Sequence, residues 1–330
     1  MRGRHLGMTM LAIVATGSPD ALSARDEIAT LASEPPLYSV VEPSPPTGEV
    51  MFQAVRDLRQ RGGAVELKLR QATVANSADW PVSFRATFMT ANGEQSCTAV
   101  LIGPQVMLTA AHCVPTSGRV SYPTAAGPGS AACARHEAWI AGDDPSADFA
   151  LCKLDAAFAG PPGVRFETVN LARLAPKPAS PVAVLLTGYG CTDNTTKRQV
   201  LDGKYRIGLT ALVDSSASSA AVLGARYYAL GGGEANNLFT ATTGPNLCPG
   251  DSGGPAFLPS ATSGGAQGQY ANRTLVGVNS RVFFGNAAGT IYGASMISAL
   301  GAGAFEPWAR RWLGSLPACG LTGALPNCRR

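Results

Sequence analysis

The stretch Cys248-Pro249-Gly250-Asp251-Ser252-Gly253-Gly254-Pro255 constrains this chain more than any other. A serine set among glycines suits a tight turn that presents its hydroxyl. That hydroxyl is a weak nucleophile alone and needs a base to take its proton. The glycines let the backbone curl until two N–H groups converge on one point, where an oxygen gaining negative charge can be held. The chain contains 38 glycines, so a Gly/Ser-rich surface loop is the plain alternative until a base is found.

Bases are scarce, which sharpens the search. The histidines are His5, His112 and His136. His5 lies in a stretch that reads as a leader. His112 ends Leu108-Thr109-Ala110-Ala111-His112-Cys113, after the apolar runs Val100-Leu101-Ile102 and Val106-Met107-Leu108. His136 sits in the polar Ala134-Arg135-His136-Glu137 and reads as a solvated surface imidazole.

Residue order then separates the enzyme classes. Gly250-x-Ser252-x-Gly254 also fits the elbow of an α/β-hydrolase, but that fold places its histidine after the serine. No histidine follows Ser252. The order Asp, His, Ser would need Asp57 or Asp79, and neither has a supporting context. The order His, Asp, Ser remains, with an aspartate near a buried strand to orient the imidazole. Asp148 opens the strand-like Phe149-Ala150-Leu151-Cys152-Lys153-Leu154 and meets that need. Asp143 and Asp144 lie in a Gly-Asp-Asp-Pro turn, which accounts for them. Asp155 ends the run.

Thr109-Ala110-Ala111-His112-Cys113, Asp148-Phe149-Ala150-Leu151 and Gly250 to Pro255 together resemble the trypsin/chymotrypsin-like serine proteases. Gly188-Tyr189-Gly190 resembles that family's Gly-aromatic-Gly turn, and the likeness runs from about Ala72 to Leu313. The resemblance implies an all-β fold of two packed antiparallel six-stranded β-barrels with a short C-terminal helix. It implies that Ser252 attacks the scissile carbonyl, His112 takes and returns the proton, and Asp148 holds His112. The N–H groups of Gly250 and Ser252 would form the oxyanion hole. Turnover should rise with pH, because only a neutral imidazole accepts the serine proton. No metal or cofactor is expected.

The rest of the chain is organised around these motifs. Residues 1–24 read as a signal peptide: Arg2 and Arg4, the short apolar stretch Leu6 to Thr16, then Ala21-Leu22-Ser23-Ala24. Residues 25–70 read as a propeptide or N-terminal extension, proline-rich and then helix-like from Glu49 to Arg61. The first barrel is expected over 71–178, beginning near Trp80, and the second over 179–330, after a crossover at Pro176 to Pro181. The second half includes a helix at Phe305 to Leu313, with Trp308 and Trp312 facing inward. A 45% apolar and 15% charged composition excludes disorder, and a net charge of +4 without a long basic run gives no case for nucleic acid. The leader predicts export, extracellular or periplasmic, as a monomer acting on proteins or peptides without a membrane span. Asn194-Thr195-Thr196 and Asn272-Arg273-Thr274 fit glycosylation sequons.

Eight cysteines allow 105 pairings, so spacing alone does not settle them. The resemblance implies Cys97–Cys113 beneath the histidine. Cys319–Cys328 follows from proximity in the tail. For the rest we expect Cys191–Cys248, tying the Gly188-Tyr189-Gly190 turn to the serine loop, and Cys133–Cys152, cross-linking two strands near Asp148; these two pairings depart from the family's common pattern.

Further departures from the family are visible. Zymogens of this kind are cut to expose an Ile-Val-Gly-Gly-like start, whose ammonium pairs with the aspartate beside the serine. Here a cut after Arg70 gives Gln71-Ala72-Thr73-Val74, so Asp251 needs another partner. The resemblance also places Asn246 at the base of the substrate pocket, Ser280 beside the buried aspartate, and Val282 and Thr290 where roomy pockets have glycines. An uncharged base and a shortened pocket predict cleavage after small aliphatic residues. Arg281 replaces the usual aromatic residue. Two alternatives stay open: a catalytically silent binding protein on the same fold, and a narrow esterase on the same triad.

Overall fold

The computed structural model describes residues 72–90, 93–141, 144, 146–174, 182–191, 202–213, 237–240, 245–259, 270–287, 290–323 and 325–329. The expected leader, extension, 49–61 helix, crossover prolines, Asp143 and Asn194 sequon all lie outside them.

Six strands close the first barrel in the order β2-β3-β4-β7-β6-β5. They are β2 (Ser83–Thr90), β3 (Gly93–Gly103), β4 (Val106–Thr109), β5 (Arg119–Thr124), β6 (Gly127–Arg135) and β7 (Ala150–Leu154). In β5 the side chains alternate, with Val120 and Tyr122 buried and Arg119 and Ser121 exposed. That is the period of two expected when one face meets a core. The second half of β3, Cys97–Gly103, is buried on both faces. Near its end the C-terminal tail bonds to the strand, the Cys319 N–H donating to the Ile102 carbonyl, and near its start Thr98 meets the serine loop.

The second sheet runs β1-β9-β10-β13-β12-β11-β8, and pairing of β8 with β9 closes its six long strands into the second barrel. These are β8 (Val182–Gly188), β9 (Arg206–Val213), β10 (Asn237–Thr240), β11 (Pro255–Pro259), β12 (Arg273–Ala287) and β13 (Thr290–Ala299). Val184, Leu186, Leu212, Leu238, Val276 and Ile297 form its inner core. Strand β1 (Thr73–Val74) falls within the chain range expected for the first barrel, yet it pairs with Arg206 and Ile207 of β9. Among the described residues the chain therefore begins on the second barrel and passes to the first between Val74 and Ser83.

Two α-helices accompany the strands among the described residues. Helix α1 (Glu137–Ala141) precedes β7, and α2 (Phe305–Leu313) follows β13. Phe305, Trp308, Ala309 and Leu313 form the buried stripe of α2. Trp308 is inward as expected, whereas Trp312 sits at the edge of that stripe, partly covered. Gly314 ends the helix at a positive φ of 53°, which glycine adopts without a Cβ clash.

The tail beyond α2 closes over the junction of the two halves. Arg273 of β12 is buried, and its guanidinium donates to Glu167 Oε1 at 2.5 Å and to the Asp79 carbonyl at 3.1 Å. It also lies 3.5 Å over the Trp80 ring. Arg329 approaches the other oxygen of Glu167 at 3.2 Å. Thr168 donates its hydroxyl to the Arg329 carbonyl. The four disulfides are Cys97–Cys113, Cys133–Cys152, Cys191–Cys248 and Cys319–Cys328.

Candidate active site

The site lies where the two barrels meet. Strand β4 delivers Thr109 and then a short 3-10 turn, Ala111–Cys113, that carries His112. Its neighbour Cys113 is bonded to Cys97 of β3, which pins the turn to the barrel wall. The same bond removes both thiolates as metal ligands beside His112.

Asp148 stands just before β7, fully buried. One oxygen accepts from the His112 backbone N–H at 3.0 Å, and the other lies 2.7 Å from His112 Nδ1. The Ser280 hydroxyl donates to that second oxygen at 2.6 Å. Ser280 reaches it because of an irregularity in β12. Asn279 pairs with Ile297 and Arg281 with Met296, so Ser280 is an extra residue with no partner across the ladder. A bulge of this kind re-aims a side chain. Burial pushes the Asp148 carboxyl up, but it is outweighed by the charge and hydrogen bond of His112, the nearby Arg281 cation and the Ser280 hydroxyl. The carboxyl therefore lies below its ordinary value.

The serine loop comes from the second barrel. Within it the N–H of Asp251 donates to Cys248 O, that of Gly253 to Asn279 O, and that of Gly254 to Asp251 O. Among the described residues, no partner takes the N–H groups of Gly250 or Ser252, the two flanking the turn. Gly250 has φ 99°. Gly253 has φ 78°, and a Cβ there would stand 2.1 Å from Thr109 Oγ1, so only glycine lets the loop reach the His112 wall.

Asp251 points away from this surface and is fully buried. Its oxygens accept from the backbone N–H groups of Gly190 and Cys248, each at 2.8 Å. These two amides are the partners that the sequence left unnamed. A Cβ at Gly190 would stand 2.4 Å from the carboxylate, which explains the glycine in that turn. Burial pushes the Asp251 carboxyl up to about 7, against the opposing pull of the two amides and of the Arg206 charge. The folded chain therefore keeps a proton on Asp251 that the unfolded chain has lost above its ordinary value of 3.8. Folding binds protons in that interval, so stability is expected to fall as pH rises from about 4 to about 7. Urea midpoints across this range should decline in the native protein. They should decline less steeply in Asp251→Asn, and equal slopes would contradict the assignment.

The remaining candidates from the sequence occupy varied settings. Asn246 is nearly buried at 9% exposure, Val282 is buried at 6%, and Ser280 is fully buried. Thr290 opens β13, and its side chain lies outside the described residues. Asp144 accepts from the N–H and hydroxyl of Ser146 and holds a turn. Asp155 pairs with Arg119 on the surface.

His136 requires a correction. It is not solvated but buried at 5% exposure. Nδ1 accepts from the Ala138 N–H at 3.2 Å, so Nε2 carries the proton toward the Ala304 carbonyl at 3.3 Å. Its ring packs 5.1 Å from Trp308. Helix α2, remote in sequence, covers a residue whose immediate neighbours are polar.

Two contributors had no sequence signal in their own surroundings. Thr98, fully buried in β3, bonds both to the serine loop and to Thr109. Trp139 of α1 lies 6.4 Å from the His112 ring and 5.2 Å from the Arg281 guanidinium, walling one side of the pair.

Two packed antiparallel barrels, with a His–Asp pair from one and a glycine-flanked serine from the other, define a chymotrypsin-like architecture. The family model described as Trypsin matches residues 70–298. The chain therefore belongs to the trypsin family and is a serine endopeptidase. No curated protein matches it by sequence. A solved structure of the Vibrio cholerae VesB protease is similar at 19% identity and a TM-score of 0.49, covering 76% of this chain and 69% of that one.

Proposed function

We propose that the chain is a secreted endopeptidase that cuts after small aliphatic residues through an acyl-enzyme. Ser252 attacks the scissile carbonyl while His112 takes its proton. Asp148, held by Ser280, fixes the imidazole so that the far ring nitrogen faces the serine side, and it stabilises the imidazolium once formed. The N–H groups of Gly250 and Ser252 receive the developing oxyanion. His112 then protonates the leaving amine, and water releases the acyl group by the reverse sequence. The observation that carries this reading is the 2.7 Å contact of His112 Nδ1 with the fully buried Asp148 carboxylate.

Specificity rests on two features. By the family resemblance, Asn246 would put no charge at the pocket base, and Val282, buried at 6% exposure, would take room that a long substrate residue needs. Export is supported by four disulfides, which persist in oxidising compartments. Among the described residues, no helix is long and apolar enough to cross a membrane.

Paired fluorogenic peptides that differ only in the residue before the scissile bond test the pocket. Alanine or valine there should give kcat/KM at least about tenfold above arginine, the scale on which pocket fit discriminates. A preference for arginine would overturn the pocket assignment and leave the triad untouched.

A further inference from the structure

Thr98 is a first-barrel residue whose polar groups converge on the machinery assembled from both barrels. Its hydroxyl donates to the Gly250 carbonyl at 2.8 Å and accepts from the Tyr189 N–H at 2.9 Å. Its backbone N–H donates to the Ser252 carbonyl at 2.7 Å, and its carbonyl accepts from the Thr109 hydroxyl at 2.9 Å. Tyr189 lies between the two glycines that wall Asp251. Thr109 leads into the His112 turn, and the preceding residue, Cys97, is bonded to the cysteine after His112. Thr98 is fully buried, so water does not replace a bond that is lost.

We infer that the Thr98 hydroxyl is a positioning element that fixes the Gly250–Asp251 peptide plane and thereby keeps the Gly250 and Ser252 N–H groups convergent. Gly250, at φ 99°, has no side chain to resist rotation of the peptide that follows it. The hydroxyl holds that carbonyl while the Asp251 N–H, on the other edge of the same peptide, donates to the Cys248 carbonyl at 2.9 Å, and the Thr98 backbone N–H fixes the next peptide but one. Positioned donors act in the transition state without reorganising, so a loosened loop should slow the chemical step more than it weakens binding. The inference rests on the proposed roles of Gly250 and Ser252.

The test compares Thr98→Val, which keeps the shape and removes the hydroxyl, with Thr98→Ser, which keeps the hydroxyl. Concentrations of active sites are set by fluorophosphonate titration, and a peptide cut by the native protein is the substrate. Thr98→Val should lower kcat about 10- to 100-fold, less than the loss of a whole oxyanion donor, while KM changes by less than about threefold. Thr98→Ser should restore kcat to within about threefold of native. If Thr98→Val does not fold, Thr98→Ala against Thr98→Ser reads the same ratio. A Val or Ala variant with kcat within about twofold of native, or a loss that serine does not rescue, would overturn the inference while leaving the proposed activity standing. A native protein that neither turns over nor labels would overturn the proposed activity, and the positioning role with it.

Discussion

Ser252→Ala is expected to lower peptide turnover by at least about 10⁴-fold while leaving the fold intact. The side chain is small and 7% exposed, and its carbonyl, not its hydroxyl, makes the bond to Thr98 that anchors the loop. Removing Oγ should therefore remove the proposed nucleophile without loosening its support. What remains is binding and the converging N–H groups, which can still polarise a carbonyl for attack by water. Initial rates of peptide cleavage by the purified variant measure this. Retained proteolysis near the native rate would eliminate Ser252 as the nucleophile.

Arg273→Met is expected to produce the largest loss of stability, about 3 kcal/mol. Glu167 is fully buried and meets Arg273 at 2.5 Å. Deleting the guanidinium leaves that carboxylate, among the described residues, with the Arg329 ion pair at 3.2 Å. It also removes the cation over Trp80 and the donor to the Asp79 carbonyl. Stranding a buried charge costs more than the intact pair contributed, because its desolvation is no longer offset. Replacing Glu167 by Leu in the same chain should therefore recover part of the loss. Urea denaturation of the single and double variants measures both quantities. A single variant within about 0.5 kcal/mol of native would show that the network bears little on stability.

These two positions illustrate how differently the chain discloses its parts. The serine loop and the His112 turn are legible because each is a short local pattern whose glycines, alanines and cysteine have local steric reasons. The approach of Asp148 to His112 is legible from residue order and from the strand that begins after it. The α2 helix is legible through the family resemblance, apart from Trp312, which sits at the edge of the buried stripe rather than in it. His136 is misread from its neighbours because its burial is supplied by Trp308 and Ala304, which lie far along the chain. Glu167, Arg273 and Arg329 carry no sequence signal of their meeting, because they lie far apart in the chain and the fold alone brings them together. Thr98 carries no mark at all beyond the cysteine beside it. Strand β1 is too short to show a period, so its pairing with the second barrel has no signature.

The central claim is an assembled His112–Asp148–Ser252 site, and intact-mass analysis after fluorophosphonate treatment tests it most directly. A single adduct is expected on the folded native protein and none on Ser252→Ala. An unlabelled native protein that is demonstrably folded, or an adduct that persists in Ser252→Ala, would contradict it.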